Sequence, residues 1–164
     1  MSIQINYKNS DQKKILSNLV LFVDENFNIN ALKKHISNPE FSYINDLLKT
    51  SDLKKNLLVY EINSKKKIVL VSVKNNLETA DIENLGAEFY VRINYGKKSE
   101  YFINSDSINS RHENFIGYFL HGIKLKSYEF NIYKSKKEKR LISINIIGKK
   151  NKLTIKNELR FKAI

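Results

Sequence analysis

The chain has 164 residues, 41% of them apolar, with a formal net charge of +12 and no cysteine. That size and apolar content fit one globular domain with its own core and exclude a disordered chain. The missing cysteines exclude disulfides and thiolate metal sites, Gln4, Asn6, Lys8, Asp11, Lys13 and Lys14 interrupt any apolar secretory signal, and no apolar run approaches the ~20 residues of a membrane span.

A soluble, cytoplasmic protein with no membrane partner is therefore expected. Ser2–Tyr7 alternates Ile3, Ile5 and Tyr7 with polar residues, as a half-buried strand does. Leu19–Val23 is apolar throughout and reads as a buried strand. A short helix is predicted from Asn30 to Ile36, and Asn38-Pro39 starts a second, with Asn38 as its cap and Phe41, Ile44, Leu47 and Leu48 at helical spacing. Leu57–Ile62 and Ile68–Val73 are apolar runs joined by a short polar segment, which predicts a hairpin. Within that segment Lys65, Lys66 and Lys67 read as a solvated turn, and Ile68–Val71, with no polar face, as a central strand covered on both sides.

The clearest helix runs from Thr79 to Tyr95. Ile82, Leu85, Phe89 and Ile93 form its apolar stripe, Asp81 and Glu83 favour the positive end of its dipole, and Gly96 closes it. Glu100–Asn104 is the next strand. Ser110 and Glu113 have the spacing of a capping box, opening a helix with Phe115 or Ile116, Phe119, Leu120 and Ile123 inward and an end near Lys126. Leu141–Gly148 alternates Ile142, Ile144 and Ile146 with Ser143 and Asn145, which predicts a strand with one buried face. Lys152–Lys156 is a candidate short strand, and the residues from 157 to 164 resemble the start of a helix. Alternating strands and helices with one hairpin predict an α/β fold: a mixed β-sheet with helices on both faces.

Chemical motifs are scarce. His35, His112 and His121 lie apart without metal-ligand spacing, the carboxylates do not cluster, and no glycine-rich phosphate loop or nucleophile elbow is present. The expectation is that this chain carries no catalytic and no metal-binding residues. Charge is distributed unevenly. From Lys124 to Lys162, 13 Lys/Arg stand against Glu129, Glu138 and Glu158, a net of +10 that leaves +2 for the rest. Lys134, Lys136, Lys137, Lys139 and Arg140 are the candidate phosphate-contacting residues. A general richness in Lys, Asn and Ile offers a compositional source for the same charge. Tyr128 and Phe130 share strand parity and Tyr133 does not, so the three cannot form one exposed stacking row on a strand.

The stretch from Gly117 to Lys137, with Gly122, Tyr128, Phe130, Tyr133 and Lys134, resembles the N-terminal domain of the cytosol (leucyl) aminopeptidase family, in which a glycine-bearing helix leads into a Tyr-x-Phe-x-x-Tyr-Lys sequence and a basic loop. The runs "KKIVLVSVKN", "LETADIENLGAEFYVRINYGK" and "KNELRFKAI" resemble that domain's central strand, long helix and connecting helix. The chain departs from the pattern at Ser72-Val73-Lys74, where the family has glycines, and at His121, where it has an acidic residue. The resemblance implies a macro-domain-like fold over residues 1–156 and, over 157–164, the start of a helix leading to a catalytic domain absent from this chain. It also implies that the chain alone is not an enzyme. The two-metal peptidase chemistry, with manganese or zinc, belongs to the missing domain, and this domain serves hexamer assembly and access to the active sites. Gly122, Tyr128, Phe130 and Tyr133 become structural, with Tyr128 and Phe130 mostly buried and Tyr133 partly so. DNA, bound through the basic C-terminal third, is the alternative partner, and a macro-type domain for a nucleotide-like ligand is a third reading.

Overall fold

A computed structural model describes residues 2–7, 17–93, 98–108, 114–133 and 141–147. Six strands, β1 (Ser2–Tyr7), β2 (Asn18–Asp24), β3 (Leu57–Glu61), β4 (Lys67–Val73), β5 (Lys98–Asn104) and β6 (Leu141–Ile147), form one sheet in the order β1-β6-β5-β2-β4-β3. Every neighbouring pair is parallel except the β3–β4 hairpin. The helices are α1 (Asn38–Leu48), α2 (Thr79–Ile93) and α3 (Phe115–Tyr133), with 3₁₀ helices at Asn30–Lys34 and Ser105–Ser107.

Parallel strands need crossovers, and crossovers place helices on the faces of the sheet. That explains the continuous apolar runs Leu19–Val23 in β2 and Ile68–Val71 in β4. Val20, Phe22, Val69 and Val71 face one core with α2 and α3, whereas Leu19, Leu21, Ile68 and Leu70 face a second core with Leu32, Ile36 and α1. Side chains alternate along a strand, so one run must supply both layers. Phe22, Phe89, Phe115 and Phe119 meet in the first core, and Phe22 packs edge-on against Phe115 and Phe119 with ring centroids 5.3 and 5.4 Å apart.

Several boundaries differ from expectation for identifiable reasons. Ser37, not Asn38, caps α1: its hydroxyl accepts the Glu40 N–H at 3.3 Å while Glu40 accepts the Ser37 N–H at 3.1 Å, and Pro39 occupies the first turn. The predicted first helix is a 3₁₀ helix ending at Lys34. Strand β4 is buried on both faces as expected, but it lies one place in from the edge, between β2 and β3. Both faces of β6 carry buried residues, because Asn145 and Ile147 are as enclosed as Ile144. Helix α3 continues past Lys126 to Tyr133; no glycine or proline interrupts that stretch. The proposed cap at Gly96, the capping box at Ser110–Glu113, the strand at Lys152–Lys156 and the segment 157–164 lie outside the described residues.

Helices α2 and α3 pack backbone to backbone. A Cβ on Gly122 would lie 2.7 and 2.8 Å from the carbonyl carbon and Cα of Glu83, and one on Gly86 would come within 3.0 Å of the Phe119 carbonyl carbon. Only glycine permits this approach. Among the described residues no helix is long and apolar enough to cross a membrane.

Candidate functional site

In open α/β sheets, ligands favour the carboxyl ends of adjacent strands whose connections leave toward opposite faces. Here β2 leads toward α1 and β5 toward α3, so the switch point lies between them. Their pairing joins Asn18–Val20 to Tyr101–Ile103. Beyond it the 3₁₀ helix Ser105–Ser107 is bonded into the strand ends. Phe22 N–H donates to Ser107 Oγ at 3.0 Å, Ser107 Oγ donates to the Asn104 carbonyl at 2.8 Å, and Ser105 Oγ donates to the Ile147 carbonyl at 2.8 Å. Beside it, the Asp24 carboxylate accepts the N–H groups of Asn26 and Asn28 at 3.1 and 2.9 Å. That turn holds Phe27 at φ 55°, a left-handed conformation its buried ring secures. Among the described residues, the chain's own hydroxyls and carboxylate engage this end of the sheet, which weighs against a nucleotide-like ligand at the switch point.

The open concavity lies elsewhere. Two adjoining hollows of about 760 and 590 Å³ share Asn56, Asn84 and Glu88 and form a trough between the approach to β3 and the outward face of α2. The larger hollow is lined by Lys54, Lys55, Arg92 and Lys126 against the single carboxylate of Glu88, above an apolar floor that includes Leu57 and Val91. Asn56 Nδ2 donates to Glu88 Oε1 at 3.0 Å, which fixes that carboxylate on the wall. Lys126 is held by Glu129 at 2.9 Å.

Titratable groups stand out at three places. Lys66 Nζ lies 2.7 Å from Glu40 Oε2, with only 7% and 14% of the two side chains exposed. This corrects the reading of Lys66 as part of a solvated turn: the hairpin delivers it under α1. Burial works against ionisation of Glu40, but hydrogen bonds from Lys66 and Ser37 outweigh it and hold the carboxyl below its usual range. Burial, with Lys34 adding to it and Asp106 opposing, lowers the pKa of His35. His121 Nδ1 and Glu83 Oε2 are 3.2 Å apart at the α2–α3 crossing. Among the described residues no group of three or more His, Asp or Glu stands close enough to hold a metal ion.

Gly122, structural by the resemblance, sits at the helix crossing against the Glu83 backbone. Tyr128 does not pack inward: on the extended α3 it points outward and is 65% exposed. Strand parity did not apply to it, because this segment is helical. Phe130 and Tyr133 belong to α3 by backbone, and their side chains lie outside the description. Lys134, Lys136, Lys137, Lys139 and Arg140 also lie outside the described residues. Sequence reasoning missed the trough. The cations of its larger hollow come from positions 54, 55, 92 and 126, and only packing brings them together.

No protein-family model matches the chain, and no sequence among the curated proteins matches it significantly. Among solved structures, a mutant of tomato leucine aminopeptidase is similar in fold, with a TM-score of 0.64 and 16% sequence identity. The likeness covers 96% of this chain and 35% of the neighbour, so the chain spans about a third of that protein's length.

Proposed function

We propose that this chain serves as the N-terminal domain of a leucyl aminopeptidase-type protein. It carries no catalytic residues of its own. It supports assembly of a hexamer and shapes access to active sites borne by a separate domain. The observation that carries this reading is the near-complete coverage of this chain by a segment only 35% as long as the aminopeptidase it resembles. The family's Tyr-x-Phe-x-x-Tyr-Lys sequence and the glycine at the α2–α3 crossing support it further. The metal chemistry, with manganese or zinc, is assigned to the parent protein's other domain.

The test is an assay of the purified chain against leucine amide with manganese or zinc added. No turnover is expected, and turnover that co-purifies with the chain would refute the reading. A second reading, DNA binding, is favoured by the net +10 between Lys124 and Lys162. Titration of duplex DNA at two salt concentrations tests it. Phosphate neutralisation by Lys134–Arg140 predicts a steep log–log salt slope, and a slope near zero would refute it.

A further inference from the structure

The larger hollow of the trough combines three features. Cations dominate its lining, and no ion pair among the described residues engages Lys54, Lys55 or Arg92. Its floor is apolar, with Val91 on α2 41% exposed. Its walls carry the amides of Asn56 and Asn84. Its volume of about 760 Å³ lies within the range of ~300–1,000 Å³ typical of ligand pockets.

We propose that this larger hollow docks an acidic peptide segment of a partner protein: an extended stretch that places carboxylates on Lys54, Lys55 and Arg92, away from Glu25 and Asp81 of the adjoining hollow, and an aliphatic side chain on Val91 and Leu57. Charge complementarity selects an acidic occupant. It also disfavours a second copy of this chain, which carries +12 itself. Three features favour peptide over nucleic acid. Among the described residues no aromatic side chain lines either hollow, so bases find no stacking platform there. Glu88 sits in the wall, where a continuous phosphate backbone meets repulsion but a peptide N–H finds an acceptor. The asparagine amides suit main-chain groups and carry no charge for phosphate.

The test uses a capped, fluorescein-labelled nonapeptide of alternating glutamate and leucine, read by fluorescence anisotropy against the full chain. Saturable binding is expected, weakening as salt rises, because the cations are exposed and screened. Lys54→Glu combined with Arg92→Glu should weaken it at least tenfold. Lys33→Glu combined with Lys34→Glu, the same charge change on the 3₁₀ helix Asn30–Lys34, should leave it within about twofold. Replacing the peptide's leucines by serine should also weaken binding, since the floor then loses its contact. Equal loss in both double variants would overturn the proposal in favour of a general field effect. So would no binding at about 1 mM peptide. So would tighter binding of a single-stranded oligonucleotide that the Lys54/Arg92 variant abolishes, which would make nucleic acid the occupant. Circular dichroism of each variant confirms folding before any loss is read.

Discussion

Replacing Lys66 by methionine removes the cation from a nearly buried ion pair while keeping most of the stem's packing. Breaking such a pair costs about 3–5 kcal/mol when the remaining charge has no other partner. Glu40 has other partners: the Ser37 N–H at 3.1 Å and the Ser37 hydroxyl at 2.9 Å. The cost should therefore fall toward the lower end, about 2–3 kcal/mol near neutral pH. For a domain of this size, 1 kcal/mol moves Tm by about 2–4 °C, so a drop of about 4–12 °C is expected. The pH dependence adds a second signature. The folded Glu40 carboxyl lies below its ordinary value of 4.5, so its contribution is present above that value and is lost as pH falls through the folded pKa. In the Lys66→Met protein the carboxyl can protonate once its partner is gone. The stability gap between the two proteins should therefore narrow between neutral pH and about pH 3.5. Urea unfolding followed by circular dichroism at both pH values measures this. A difference below about 0.5 kcal/mol at neutral pH, or a gap that widens toward acid, would refute the assigned role of the pair.

Gly122→Ala should destabilise by about 1–3 kcal/mol in thermal unfolding, because its methyl would press on the Glu83 backbone rather than on a side chain that can swing away. Alanine's better helix propensity returns at most about 1 kcal/mol of that. Tyr128→Ser should change stability by less than about 1 kcal/mol, since the ring is 65% exposed, whereas Phe119→Ala, fully buried among Phe22, Phe89 and Phe115, should cost about 3–5 kcal/mol by the same denaturant titration. His35 has a folded pKa below its ordinary value of 6.5, so it stabilises the fold above that pH and loses the contribution as pH falls through the folded pKa. His35→Gln should flatten the fall in stability just below pH 6.5, measured as Tm against pH.

The layered fold was largely legible because it is written in periodicity. The unbroken apolar runs at Leu19–Val23 and Ile68–Val71 could be satisfied only by strands covered on both faces, and the stripe Ile82, Leu85, Phe89 and Ile93 only by a helix lying on one of them. Errors arose where a local signal had a competitor. Asn38-Pro39 resembled a helix start, but Ser37 and Glu40 form the reciprocal cap one residue earlier. Burial of Tyr128 is implied by the family resemblance, with packing at a turn from helix to sheet, but α3 continues to Tyr133 and leaves that ring exposed.

By itself, the sequence determined the strand and helix repertoire, the hairpin and the two-sided burial of β2 and β4. Each of these follows from short-range spacing. Tertiary structure alone decided that Lys66 is a buried partner rather than a solvated lysine. It alone bonded Ser105–Ser107 into the strand ends and assembled the cationic lining of the larger hollow from Lys54, Lys55, Arg92 and Lys126. Those features depend on which surfaces the crossovers bring together, and spacing along the chain does not encode distances between residues tens of positions apart.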